Sequence, residues 1–437
     1  MYIQRFSKVI SSPIYVLWCI VFILFSCNET ATNTATNTES AGTTSSPVPA
    51  LPKLNPLDRD PFFTENLAIH SAFGPKDITR NILQDKNGYI WFASWEGIIR
   101  YASTSLSAVT ERSRSDRAER SRSDRAERSR SDRAERSRSD QNERSRSDQA
   151  FTNFTNKEGL RRYHIFSVFQ DRAGSLWFGT VGAGVYRANA LGTSFTNLTT
   201  KDGLVEDRVG CIFEDNAGNM WFGTEDGVSR YDGSTFTNFK MRDDLGQNRV
   251  SAIMADKTGK IWFGARSGVF FYDPTTPLHA DGSSFTIFKN QDGLPFNNVR
   301  SIIEDKSGNL WFAGGNGLCR YNPSATPATG EKAFTTFTTN FVGVVYEDKK
   351  GSIWMNAATA NNVVLSRYDP PTAAGTNAKP SNPSKFIEIW KEKRQIFCIL
   401  EDNEGFIWIG TERGVKRFSP SGRPGAVAQS VTNFLEQ

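Results

Sequence analysis

The sequence is poor in the groups that most enzyme classes need. Its 437 residues contain three histidines, His70, His164 and His279, and five cysteines. No Cys-x-x-Cys pair or Cys/His cluster occurs, which argues against a zinc module, and no cofactor or metal is expected. Cys19 and Cys27 lie near the amino terminus. The other three, Cys211, Cys319 and Cys398, are an odd number set in apolar strands and read as buried thiols, not a disulfide framework. No nucleophile motif and no obvious carboxylate pair appears, so convergent acid–base machinery is not legible. Strong charge is also missing. The formal net charge of +5 comes from Arg5 and Lys8 in residues 1–26, and from 13 arginines against 10 acids in residues 111–150; the remainder holds 37 basic and 37 acidic residues. A neutral body argues against nucleic acid as a partner.

What is present begins with an address. Arg5 and Lys8 precede an apolar run from Ile14 to Phe25, too short to span a membrane comfortably but suited to a signal-peptide core. It ends in Leu24-Phe25-Ser26-Cys27, which resembles the lipobox of bacterial lipoproteins, with Phe25 in place of the usual small residue. The resemblance implies lipidation at Cys27 and a cell-envelope location, on the periplasmic or outer-surface side; a secretory peptide with an incidental cysteine is the alternative. Residues 27–61 are rich in Thr, Asn, Ala, Ser and Pro and read as a flexible tether. The lipid is then the only expected membrane contact.

From residue 62 to 437 the sequence repeats. Asp-x-x-Gly-x-x-Trp occurs seven times, at Trp91, Trp177, Trp221, Trp262, Trp311, Trp354 and Trp408. The tryptophans are 86, 44, 41, 49, 43 and 54 residues apart. Only the first spacing is anomalous, and it contains the 40 residues of 111–150. A unit of about 46 residues with short strands is the length of a propeller blade. Each unit resolves into four strands, as in Val209–Glu214, then Trp221–Thr224, then a strand with Arg230-Tyr231-Asp232, then Phe236–Phe239. The expected fold is all-β, a seven-bladed propeller with four-stranded antiparallel blades. Seven first strands have seven fourth strands to match, so the ring can close without strand exchange; Phe62-Phe63-Thr64 is a candidate edge strand. Gly serves the tight turn, Asp the turn backbone, and Trp the packing of one blade on the next.

The units resemble the two-component regulator propeller repeat, on Lys201-Asp202-Gly203-Leu204, Glu214-Asp215, Gly218, Trp221-Phe222-Gly223-Thr224, Gly227 and Arg230-Tyr231-Asp232. The resemblance runs from about residue 78 to 434, apart from the insertion. It implies the sensing module of an extracytoplasmic receptor, of a kind that often responds to glycan fragments. Such sensors commonly carry two propellers, a further β-domain, a membrane helix and a kinase; only one seven-unit set stands here, so kinase activity is not expected.

A ligand is expected where the innermost strands begin. The seventh position before each repeat aspartate holds Ile78, His164, Arg208, Arg249, Asn298, Phe341 and Gln395. The fifth holds Arg80, Phe166, Gly210, Ser251, Arg300, Gly343 and Phe397, whereas the third is uniformly Ile or Val. A variable, polar start above an apolar layer is what a ligand-facing rim over a packed core shows. The turn between the second and third strands adds Trp95, Glu225, Arg266, Asn316 and Glu412. The candidate ligand-binding set is Arg80, Trp95, His164, Arg208, Arg249, Arg266, Asn298, Arg300 and Gln395, with no catalytic residue among them. Arginine and asparagine can bind sugar hydroxyls or carboxylates, and an aromatic ring can stack on a sugar face.

Residues 111–150 are five octapeptides of the type Glu-Arg-Ser-Arg-Ser-Asp-Arg-Ala, without a large apolar residue. They read as a disordered loop between the third and fourth strands of blade 1. The leading expectation is a non-catalytic, monomeric, membrane-tethered propeller that binds an oligosaccharide or an envelope protein. A propeller-type lyase or glycoside-acting enzyme, and a pure envelope scaffold, are the alternatives.

Overall fold

The computed structural model describes residues 69–71, 74–102, 151–154, 164–189, 195–239, 249–276, 285–288, 296–326, 332–370, 386–419 and 432–433. The signal and tether segments, Cys27, Phe62–Thr64 and the 111–150 insertion lie outside them. Among the described residues no helix is long and apolar enough to cross a membrane.

The described chain forms seven antiparallel sheets, each from one contiguous stretch of sequence, and is a seven-bladed β-propeller. The innermost strands are Thr79–Gln84, Ile165–Gln170, Val209–Glu214, Val250–Ala255, Ser301–Glu304, Val342–Glu347 and Ile396–Glu401, which number blades 1 to 7. Six blades have four strands. Blade 1 has a fifth, Ile69–Ser71, paired outside Phe151–Asn153. An amino-terminal edge strand therefore exists at Ile69–Ser71, and the candidate at Phe62-Phe63-Thr64 falls outside the described residues. The third and fourth strands of blade 1 flank the insertion and still pair in register, Ile99 with Asn153 and Tyr101 with Phe151. Closure needs no strand exchange, because the last blade meets the first through side chains. Phe92 and Trp408 lie 5.7 Å apart within a cluster that also holds Ile82 and Cys398.

The repeat residues explain this stacking. Along each second strand the side chains alternate, so Trp faces the next blade and the residue after it faces the previous one. Trp91 meets Phe178 at 5.9 Å, Trp177 meets Phe222 at 5.7 Å, Trp221 meets Phe263 at 5.6 Å and Trp262 meets Phe312 at 6.0 Å. In the last two junctions within the chain order, Trp311 shares a cluster with Met355, and Trp354 with Ile409. Six of the seven indoles are at most 2% exposed. A buried indole N–H needs an acceptor, and the repeat aspartate supplies it. Nε1 of each of the seven repeat tryptophans donates to Oδ2 of the aspartate six residues earlier, at 2.7 to 2.9 Å. The other oxygen of Asp85 accepts from the Asn87 and Tyr89 amides, and Gly88 (φ 87°) completes the turn in a conformation that favours glycine. Asp and Trp are thus one device tying turn to core. Glycine two residues after Trp serves another need. A Cβ on Gly223 would lie 2.4 Å from Cys211 Sγ and 3.0 Å from Val250 of the next blade.

The face bearing these turns carries an inter-blade clasp. The residue after the aspartate donates its backbone N–H to the Glu or Gln that precedes the next blade's aspartate: Lys86 to Gln170, Arg172 to Glu214, Lys257 to Glu304, Lys306 to Glu347, Lys349 to Glu401 and Asn403 to Gln84. Where the residue is Lys or Arg, its side chain also reaches carbonyls of the next turn, as Lys306 Nζ does with Asp348 O and Lys349 O. The blade 3–4 junction has Asn216 and Ala255 at these positions and cannot form the clasp.

Candidate functional site: the arginine-lined mouth of the channel

The opposite face is built from the starts of the innermost strands and the turns between second and third strands. Backbone hydrogen bonds join the two: Trp95 N to Ile78 O, Val181 N to His164 O, Arg266 N to Arg249 O, and Glu412 N to Gln395 O. The rim expected from sequence therefore exists as a surface.

Its geometry depends on β-bulges. In blade 1, Thr79 pairs with Ser94 and Asn81 with Ala93, so Arg80 has no opposite residue. The same shift frees Phe166 in blade 2, Gly210 in blade 3, Ser251 in blade 4 and Phe397 in blade 7. A bulge re-aims the extra side chain. Here it turns the fifth-position residues toward the axis. The Arg80 guanidinium lies 4.1 Å from the Phe397 ring centroid and 5.2 Å from that of Phe166, between rings from both neighbouring blades. Such contacts stabilise a desolvated cation by about 1–2 kcal/mol each. In blade 6 the bulge is wider. Buried Asn356 stands where the other blades have glycine or alanine, accepts from the Gly343 and Val344 amides through Oδ1, and donates to Ile396 O of blade 7.

Three of the candidate arginines, Arg80, Arg249 and Arg300, are near enough for their charges to act on one another. Burial pushes Arg80 and Arg300 down from 12.5 to about 10, and repulsion from Arg249 adds to both. Arg300 also feels Arg80, from the far side of the ring. At neutral pH both stay cationic, so the downward push expresses the cost of holding them there. Their counter-charges are few. Glu225 pairs with Arg249 at 3.3 Å and Glu412 with Arg394 at 3.7 Å. Arg300 Nε donates to Asn298 Oδ1 at 3.0 Å, and Asn298 takes a left-handed backbone (φ 48°) to present it. Arg80 Nε is buried without a hydrogen-bond partner in the chain, as is Trp95 Nε1. Trp95 and His164, from blades 1 and 2, stack at 4.6 Å and 6°.

The remaining candidates are placed differently. Arg208 is exposed and donates from Nε to Val181 O of blade 2, away from the axial cluster. Arg266 is exposed but close enough for its charge to act on Arg300. Gln395 is half-buried, and its backbone carbonyl accepts from Glu412. Sequence reasoning left Phe166 and Phe397 out of the set, although both stand in the same column as Arg80. It also left out Glu206. This half-buried carboxyl is pushed above the usual glutamate range by burial, and Glu225 adds a smaller push in the same direction. The backbone amides of Arg208 and Glu225 donate to it and oppose that push. Among the described residues no three His, Cys, Asp or Glu side chains converge as a metal site. Away from the axis, a cavity of about 360 Å³ lies against blade 5, lined by Phe296, Phe312, Asn316 and Cys319 among others.

Known structures share this architecture. Streptogramin B lyase superposes with a TM-score of 0.50 at 14% identity, over 80% of this chain and 96% of that one. Virginiamycin B lyase from Staphylococcus aureus gives 0.50 at 13%, over 80% and 96%. The extracellular domain of a putative one component system from B. thetaiotaomicron gives 0.45 at 17%, over 78% of this chain and 48% of that one. The present chain thus spans about half the length of that domain. At these identities the likeness is one of fold. No curated protein matches the chain. Residues 73–96, 159–182, 203–226, 293–316 and 392–413 match the family described as two component regulator propeller. Each match runs from the approach to an innermost strand through the second strand to the turn after it, in blades 1, 2, 3, 5 and 7. The chain is accordingly a seven-bladed propeller that carries two component regulator propeller repeats.

Proposed function

We propose that this chain is a non-catalytic, sensor-like binding module of the cell envelope, tethered through a lipid on Cys27. Its ligand is an oligosaccharide or an envelope protein, and the binding site is the mouth of the channel. The observation that carries this reading is the axial cluster of Arg80, Arg249 and Arg300 walled by Phe166 and Phe397. A structural role alone would not gather under-neutralised cations in a half-buried place, because buried charge is costly unless paired. The repeat family supports a sensing role.

Calorimetric titration of the purified chain with oligosaccharide panels tests the reading. Binding without turnover, weakened at least tenfold by Arg80→Ala plus Arg249→Ala, is the expected result; affinity untouched by those changes would remove the mouth from the account. The tether is checked separately, since Cys27→Ser should move the protein from the membrane fraction to the soluble one. The enzyme alternative has one specific observation in its favour, the half-buried Glu206, because burial raises its carboxyl above the usual glutamate range and so favours the protonated form that a general acid needs. Turnover of a bound oligosaccharide that disappears in Glu206→Gln would establish that alternative.

A further inference from the structure

We propose that the axial mouth holds an oxyanion, a carboxylate or sulfate group borne by a saccharide ligand, between the guanidinium groups of Arg80 and Arg300. The proposal rests on the reading of this mouth as the binding site and adds the chemistry of what enters it.

The argument is one of unmet charge. The two carboxylates nearest the cluster are already engaged, Glu225 by Arg249 and Glu412 by Arg394. Among the described residues neither Arg80 nor Arg300 forms an ion pair. Both are half-buried, and each lies within the repulsive field of Arg249. The fold nevertheless fixes them. Arg80 is clamped between Phe166 and Phe397, and Arg300 is oriented by Asn298 in a backbone conformation unusual for a non-glycine residue. Fixing a cation by aromatic walls and by a neutral amide, without a carboxylate, leaves its charge available to an incoming group. A guanidinium presents its donors as a planar fork that matches two oxygens of one oxyanion. Blades 3, 4 and 6 place only small residues, Gly210, Ser251 and Gly343, at the position that Arg80 and Arg300 hold in blades 1 and 5. The aromatic walls lower the local dielectric, so a single anionic group there gains more than it would at an open rim.

The test uses inorganic sulfate, galacturonate and uncharged galactose as probes, read by thermal unfolding and calorimetry at constant ionic strength. Sulfate stabilises proteins generally, so the informative quantity is the difference between the native chain and Arg80→Gln or Arg300→Gln. We expect galacturonate or sulfate to bind the native chain at least tenfold more tightly than either variant, and galactose more weakly than galacturonate. Response to sulfate alone assigns a sulfated ligand, and response to galacturonate alone a uronate. Arg300→Lys keeps the charge without the fork and should retain intermediate affinity. Arg187→Gln, exposed on the third strand of blade 2 and outside the mouth, should lose less than threefold and shows that the effect is local. Equal sulfate and galacturonate responses in the native chain and in both Gln variants overturn the proposal. Mouth-dependent binding of a neutral oligosaccharide with no anion preference also overturns it, while leaving the binding-module reading intact. Anion capture by the two arginines, with neither oligosaccharide nor envelope protein bound, has the opposite meaning: the anion site stands and the receptor reading falls.

Discussion

Replacing Arg300 with methionine should make the unliganded protein more stable. Burial and the fields of Arg249 and Arg80 push the Arg300 guanidinium down from 12.5 to about 10. A displacement of that size corresponds to about 3 kcal/mol against the charged form in the folded state. Partial exposure reduces the usable part to about 2 kcal/mol. Methionine retains most of the stem's packing but gives up the hydrogen bond from Nε to Asn298 Oδ1, worth about 1 kcal/mol. The net expectation is a gain of about 1 kcal/mol, read as a higher urea midpoint with an unchanged slope. The sign with pH follows from the direction of the displacement. A cation whose folded value is depressed penalises the fold at every pH well below that value, and relief arrives only as pH rises past about 10. The gain from Arg300→Met should therefore be flat between pH 6 and pH 9. Arg300→Lys, which keeps a charge in place, should show little of it. A loss of 1 kcal/mol or more in Arg300→Met, with Arg300→Lys neutral, would refute the reasoning by showing that the chain itself satisfies this cation.

Three other outcomes can be measured on the same protein. Asn356→Ala should cost about 2–3 kcal/mol in denaturant unfolding, because it strands the Gly343 and Val344 amides and the Ile396 carbonyl at a buried site. Lys306→Met should cost about 1 kcal/mol through loss of its two carbonyl contacts, whereas Asn216→Ala, at the junction without a clasp, should cost close to nothing; equal effects would show that the clasp does not hold the blades. Glu206→Gln should gain stability over the native chain as pH rises through the glutamate range, since an acid with a raised folded value favours the fold when protonated and penalises it when ionised; a gap constant from pH 4 to pH 8 would contradict the assigned burial.

The blades were legible because their defining residues recur in register. The aspartate, glycine and tryptophan columns gave seven units, and each became one sheet. The link between aspartate and tryptophan was not legible, since it joins a turn oxygen to an indole that folds back over six residues. The clasp was half legible. Glu or Gln precedes most repeat aspartates and Lys or Arg follows them, but the partners belong to successive blades, and sequence adjacency hides that. At the mouth, counting positions singled out Arg80 and Arg300, whose charges act on each other in the folded chain. It could not tell Arg208 from Arg249, which share a column, because both reach the turn of the preceding blade and differ only in what they meet there, a backbone carbonyl for Arg208 and the Glu225 carboxylate for Arg249. Phe166 and Phe397 were missed for a different reason. Period-two alternation assigns them to a blade face, and only the bulge turns them to the axis.

A ring in which every blade is a single contiguous stretch also has a kinetic character. Each four-stranded unit pairs only near neighbours in sequence, so its contact order is low for an all-β protein. Six junctions can form in turn between adjacent segments. The seventh joins Phe92 to Trp408 and Gly414 N to Asp77 O across more than 300 residues. By then the arc of finished blades already holds its two ends near each other, and the loop-closure entropy that such a separation would impose on a random chain is largely absent. No junction is privileged by connectivity. A circular permutant opened between any two blades should therefore fold to the same ring, with the break moved and the mouth unchanged.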